Sequence, residues 1–410
     1  MKVLLSHPTG NAFARAAALG LYKADMLAGF RTTVATFPGN IFDRISVLPP
    51  FSEFKRRQYD PLLQPLTKSW PLLELGRFAA SKAGLKSLTQ HETGSLSVDA
   101  VYHDIDKRVA KSLKNTLKKG DAVYAYEDGA LFSFREAKRL GIKSLYDLPI
   151  GYWRTARKLL DVERDRWPEW VPTLTGFGDS EEKLALKDEE ILLADHIFVA
   201  STFTANTLKD YPGKLAPVKV IPYAFPPVYS SREYVSFNNR SLKVLFVGGL
   251  SQRKGIADLF AAVESIGNKV ELTVVGRKAS DSCPALDKEL SKCRWIPSLP
   301  HQEVLKLMRE HDVLVFPSLF EGFGLVITEA MSQGTPVITT DRTAGPDLIK
   351  HGENGWLIEA GSTQALKQAI EELLYSPEII ESAGRAAMAT ARLRTWEIYG
   401  QELAEAIIKR

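Results

Sequence analysis

Cysteine is scarce: Cys283 and Cys293 are the two in a chain of 410 residues. Such usage excludes a disulfide framework and a cysteine zinc site, and it fits a reducing compartment. Long apolar runs are missing as well. No stretch approaches the ~20 residues of a membrane-spanning helix. The opening Val3-Leu4-Leu5 is broken at once by Ser6-His7-Pro8, so the longer run of a secretory signal is not there. A cytoplasmic protein is expected, with peripheral contact at the inner face of a membrane still compatible. An excess of one charge is lacking too. The formal net charge is +4 and the pI about 8.8, too mild to make nucleic acid the main partner. There is no low-complexity tract and no short-period repeat.

What is present is the composition of a globular chain, 45% apolar and 25% charged. The length suggests two or three domains at roughly 150 residues each. Val3-Leu4-Leu5 reads as a buried strand, and His7-Pro8-Thr9-Gly10-Asn11 as the turn after it. From Ala12 to Ala28 the spacing turns helical, with Phe13, Ala17, Leu21 and Met26 on one broad face. Residues 32–37 read as the next strand. This is the β-turn-α-β opening of a doubly wound sheet. Further strands are expected over 122–126, 143–146, 196–200 and 218–222, and a helix over 132–140 that stops at Gly141. Another helix runs from Glu181, capped by Asp179 or Ser180. Functional residues gather at strand carboxyl ends in such sheets; Glu127, Asp147 and Ser201 stand there.

The stretch from Leu48 to Leu88 interleaves Lys55, Arg56, Arg57, Lys68 and Arg77 with Phe51, Phe54, Tyr59, Trp70 and Phe78. That pattern suits a lipid headgroup surface. It suits equally a solvated helical face with its apolar side on the core, which is the commoner case.

A Pro-, Ser- and Asn-rich linker at 226–240 closes the first domain, 1–225. A second α/β series fills 241–392. Strands are expected at 244–249, 270–275, 313–318 and 335–340, and helices at 258–266 and 363–374. Residues 393–410 form an amphipathic helix. The most informative stretch runs from Phe316 to Ala330. There a buried strand, a turn carrying Gly322 and Gly324, and a helix start follow one another. The glycines let backbone approach a ligand, and the helix start offers free amides and positive potential to a diphosphate. Glu321 precedes the helix and Glu329 lies inside it. Carboxylates accept well from sugar hydroxyls.

With its surroundings, this Glu-x7-Glu pair resembles the signature of the retaining family 4 glycosyltransferases. The surroundings are Phe246 to Leu250 with Lys254-Gly255, Leu272 to Gly276, His311-Asp312-Val313, Gly334-Thr335-Pro336 and Gly352 to Leu357. The resemblance covers Tyr146 to the C-terminus. It implies an α/β GT-B fold of two Rossmann-like, doubly wound domains facing a cleft, with the last helix crossing back to the first domain. It implies a sugar moved from a nucleotide-sugar, UDP- or GDP-linked, to a glycan or glycoconjugate acceptor. Retention of configuration is implied, and no obligatory metal or cofactor. Lys254 and Glu321 would be catalytic, with Asp147 from the first domain. Gly248, Gly249, Arg253, Gly276, Gly322, Phe323, Gly324, Leu325, Val326 and Glu329 would hold the donor. Gly10, Asn11, His103 and Glu127 are further cleft candidates.

Two departures stand out. Gly249 takes the place of the family's usual arginine, a role that Arg253 could fill. Tyr146-Asp147 takes the place of a His-Asp pair, and His103-Asp104 is the alternative for it. These keep open a nucleotide-sugar-binding protein without transfer, or another enzyme on the same fold such as a sugar-nucleotide epimerase. Oligomeric state is not legible.

Overall fold

Val3–Ser6 is fully buried and forms β1. In the computed structural model, which describes residues 1–47, 49–235 and 240–409, the helix Ala12–Lys23 follows it. Strand β2 is Leu27–Thr32, not the expected 32–37. The helix ends sooner than its apolar spacing suggests, Asp25 turns the chain at φ 53°, and Leu27 enters the sheet opposite Val3. Residues after Thr32 fold back on the first loop instead, with Thr33 N and Oγ1 both donating to Pro8 O.

The remaining strands of the first sheet are β3 (Thr67–Ser69), β4 (Ala122–Tyr126), β5 (Lys143–Leu148), β6 (His196–Val199) and β7 (Val218–Val220). Their order is β3-β2-β1-β4-β5-β6-β7, parallel throughout. The second sheet holds β8 (Leu242–Val247), β9 (Val270–Val275), β10 (Arg294–Ile296), β11 (Val313–Phe316), β12 (Val337–Thr340) and β13 (Trp356–Ile358). Its order is β10-β9-β8-β11-β12-β13, again parallel. In both sheets the strand order reverses beside the first strand. Such switch points open a crevice at the strand carboxyl ends.

The basic-aromatic stretch turns its rings inward. Phe54 and Tyr59 are buried, and Phe51, Phe54 and Phe78 pack within about 6 Å of one another. Arg57 and Arg77 share the buried carboxylate of Glu74. Leu48, where that stretch begins, and residues 236–239 of the linker lie outside the described residues.

Two segments tie the sheets together. The helix Trp396–Ile408 packs along Ala12–Lys23. Gly20 and Gly400 meet there so closely that a Cβ on Gly20 would sit 2.3 Å from Gly400 O. Arg394 ahead of that helix donates to Pro222 O. The helix Trp153–Arg166 and the short turns at Pro168–Thr173 reach the other way. Trp170 stacks on Phe260 at 5.9 Å, Arg166 Nη2 pairs with Asp258 at 2.8 Å, and Gln252 Nε2 donates to Glu163 at 2.8 Å. The largest buried apolar cluster runs through both domains.

Candidate active site

Strand β11 is buried along its length and delivers Pro317 and Ser318 to the edge of the second sheet facing the first domain. Four residues on, Gly322 sits so close to the first domain that a Cβ would lie 1.8 Å from Pro149 O. Its carbonyl accepts from Ser201 Oγ at 2.5 Å and Thr204 Oγ1 at 2.8 Å. Phe320 enters an apolar pocket beside Gly151 and meets Phe203 edge-on at 5.6 Å. Gly324 then adopts φ 86°, a left-handed conformation open to glycine, and starts the helix Leu325–Ser332. It brings no side-chain cap, and no acid occupies the first turn. The amides of Leu325 and Val326 therefore precede the first intrahelical bond, at the positive end of the dipole.

Between these anchors Glu321 is buried under two cations. Arg253 Nη1 pairs with its Oε1 at 2.8 Å, Lys254 Nζ pairs with the same oxygen, and Ser318 Oγ donates to it at 3.1 Å. Burial pushes the carboxyl up, but Lys254 and Arg253 outweigh it and hold the group below the usual carboxylate range. Burial also pulls Lys254 below its usual range; Glu321 opposes that and Arg253 adds to it. Lys254 Nζ further lies 4.9 Å above the Phe316 ring. Arg253 is fixed by Phe320 O at 2.7 Å. The group thus gathers a lysine, an arginine and a helix start around one carboxylate.

Glu329, one turn further along the helix, lines a cavity of about 690 Å³ between the two domains. His301 approaches it at 3.7 Å, and burial lifts its carboxyl above the usual range. Val247 and Leu299 give that wall an apolar surface. Gly10 and Asn11 line the opposite wall. Gly248 N donates to Val275 O at 2.9 Å and Gly276 N to Ile296 O at 3.0 Å, so both close the ends of their strands. Gly249 faces open space. Phe323 is buried with its ring 5.1 Å from Tyr223.

The structure does not bring all the candidates together. Asp147 is buried under a tyrosine cluster, where Tyr124 Oη donates to its Oδ2 at 2.6 Å. Burial lifts this carboxyl to about 7, with the Tyr124 bond opposing. Tyr146 points to the other sheet face, toward Glu190. His103 packs edge-on against Phe132 and takes no part in the Lys254–Glu321 group. Glu127 is held by Lys187 at 3.2 Å and lines a smaller pocket of about 200 Å³ that Arg253 and Phe320 also border. Among the described residues, one group, His91, Glu92 and Asp179, has metal-ligand proximity, and it is already paired internally and with Lys183.

Sequence reasoning missed several contributors. Thr204 holds Gly322, Ser318 holds Glu321, and Arg15, Arg56 and Arg57 line the large cavity. The polar residues just after β6 and β11 were the available signal for the first two.

Two parallel α/β sheets facing each other across this cleft define the GT-B class of fold. Residues 230–390 match the family described as glycosyl transferases group 1. The capsular polysaccharide biosynthesis glycosyltransferase CapM of Staphylococcus aureus is 29% identical over 160 residues, which is 37% of this chain and 42% of that one. The chain spans less than half the length of the curated relatives it matches first. Likeness in fold extends over the whole chain. Sucrose-phosphate synthase from Thermosynechococcus elongatus superposes with a TM-score of 0.70 at 18% identity, covering 100% of this chain and 98% of that one. Anabaena HepE in complex with UDP-glucose gives 0.60 at 17% identity, with both chains fully covered. No described helix is long and apolar enough to cross a membrane.

Proposed function

We propose that this chain is a retaining, metal-independent glycosyltransferase. It moves a sugar from a nucleotide-sugar to a glycan or glycoconjugate acceptor in polysaccharide or glycoconjugate synthesis. The observation that carries this is Glu321 clamped by Lys254 and Arg253 at the start of the helix that bears Glu329. The family match over 230–390 and the UDP-glucose bound by HepE on the same fold support it.

In this reading the donor diphosphate sits against Lys254, Arg253 and the Leu325 and Val326 amides. The ribose bonds to Glu329, and Val247 and Leu299 flank the nucleoside. Gly248, Gly249 and Gly276 leave room for it, and Gly322, Phe323 and Gly324 shape the loop below the sugar. Glu321 is released from its cations when the diphosphate arrives, and its carboxylate then takes hydroxyls of the transferred sugar. As the glycosidic bond breaks, negative charge grows on the leaving diphosphate. Lys254, Arg253 and the helix amides are already aimed there, and preorganised charge of this kind is worth several kcal/mol. The acceptor attacks the oxocarbenium-like sugar from the face the diphosphate leaves. Gly10 and Asn11 border the acceptor side. Asp147, with Tyr124 and Tyr223 around it, acts from beneath as a positioning group. The two free cysteines fit a cytoplasmic setting.

The test is the anomeric configuration of the product made from the donor that binds. Retention, with full activity in a chelator, is expected. An inverted product or a metal requirement contradicts the mechanism.

A further inference from the structure

Across the large cavity from Glu329, the first domain presents three arginines, Arg15, Arg56 and Arg57, of which Arg57 alone pairs with a carboxylate among the described residues. Arg15 stands in the first turn of Ala12–Lys23, and its Nη1 donates to two backbone carbonyls, Gly10 O at 3.0 Å and Arg56 O at 2.7 Å. Arg56 is exposed, and among the described residues no acid pairs with it or with Arg15. Arg57 shares Glu74 with Arg77, two guanidiniums on one carboxylate. Among the described lining residues Glu329 is the one acid, and it belongs to the far wall. The helix start between these arginines adds to the positive field, because Asn11 makes no side-chain cap there. Burial, with Arg57 and Arg15 adding to it, holds the neighbouring His7 down to about 3.

Guanidiniums gathered at a cleft favour a phosphate or carboxylate, which they grip in bidentate fashion. We infer that the wall formed by Arg15, Arg56 and Arg57 binds an anionic group carried by the acceptor, so that the acceptor is a hydroxyl compound bearing a phosphate or a carboxylate. This rests on the donor assignment above. There the donor diphosphate has its own seat at Lys254, Arg253 and the helix Leu325–Ser332, none of whose cations lines this cavity. The arginines stand on the opposite domain and remain for a second anion.

The test is a titration of inorganic phosphate into protein saturated with UDP, at constant ionic strength, followed by equilibrium dialysis. With the donor phosphate seat filled by UDP, a second saturable phosphate site is expected. Its dissociation constant rises at least tenfold in Arg56→Gln and in Arg15→Gln, while UDP affinity stays within twofold. Among the described residues Arg56 has no side-chain partner to lose, so its variant reads the wall even if Arg15→Gln folds poorly. Three results overturn the inference: no phosphate binding, phosphate competing with UDP, or variants that weaken UDP as much as phosphate. If neither UDP nor GDP, ADP or TDP binds, the donor reading falls. The titration on nucleotide-free protein then decides the wall alone, and phosphate binding that ignores Arg56→Gln overturns it.

Discussion

A Cβ added at Gly322 would lie 1.8 Å from Pro149 O and 2.6 Å from Ile150 Cα. Ordinary contact needs roughly 3.5 Å, so the loop must retreat from the first domain by about 1.5 Å. Backbone lies on both sides, and no rotamer can absorb the shift. The hydrogen bonds from Ser201 and Thr204 to Gly322 O break or stretch, at about 1 kcal/mol each. Overpacking adds about 1–3 kcal/mol. Glu321 is the preceding residue and moves with the loop, and a misplacement of about 1 Å in an active site can cost about 100-fold in rate. Gly322→Ala is therefore expected to lose about 3–5 kcal/mol in urea denaturation and about 100-fold in kcat/KM. For the stability assay Gly249→Ala is the matched control, since nothing lies within 4 Å of its added Cβ. If Gly322→Ala matches wild type in both assays, the contact between this loop and the first domain does not position Glu321.

Lys254→Ala is expected to lower kcat by at least about 100-fold through a lost charge of about 3 kcal/mol; Arg253 still pairs with Glu321, so the thermal midpoint should hold. Arg166→Ala leaves Glu163 and Asp258 buried without their cation and should cost about 3–5 kcal/mol in urea, less where Gln252 compensates. Asp147 carries a folded pKa near 7 against an unfolded value of 3.8. The folded state then holds a proton that the unfolded chain releases as pH rises above the lower value. Stability from this group is complete below about pH 4 and is lost by pH 7, on the order of 4 kcal/mol. Asp147→Asn keeps an acceptor for Tyr124 and should flatten that decline by one proton in urea midpoints taken from pH 4 to 7.

The second domain was legible because its longer strands are mostly apolar. Residues 244–246, 272–275 and 313–316 are buried in the structure as their composition requires. Glu321 and Glu329 were legible because strand, glycine turn and helix succeed one another within fifteen residues. β2 was misplaced because residues 32–37 have more β-branched residues than Leu27–Thr32, and the contact with Val3 outweighed that preference. β3, β10 and β13 are three residues each and have no periodicity to read. The 19-residue helix Val98–Thr116 was missed although Val101, Ile105, Val109 and Leu113 repeat every four residues. What no local pattern carries is the joining of distant segments. Gly322 depends on Ser201 and Thr204, Gln252 on Glu163, and the arginine wall on residues 15 and 56–57 meeting across the first loop.

The central claim is that a nucleotide-sugar binds between Lys254 and Glu329. Thermal stabilisation by a panel of UDP-, GDP-, ADP- and TDP-sugars tests it most directly. A donor at about 100 times its dissociation constant adds about 2.7 kcal/mol. One donor is expected to stabilise wild type and to fail with Glu329→Ala. A donor that stabilises both proteins equally, or a panel with no effect on either, contradicts the assignment.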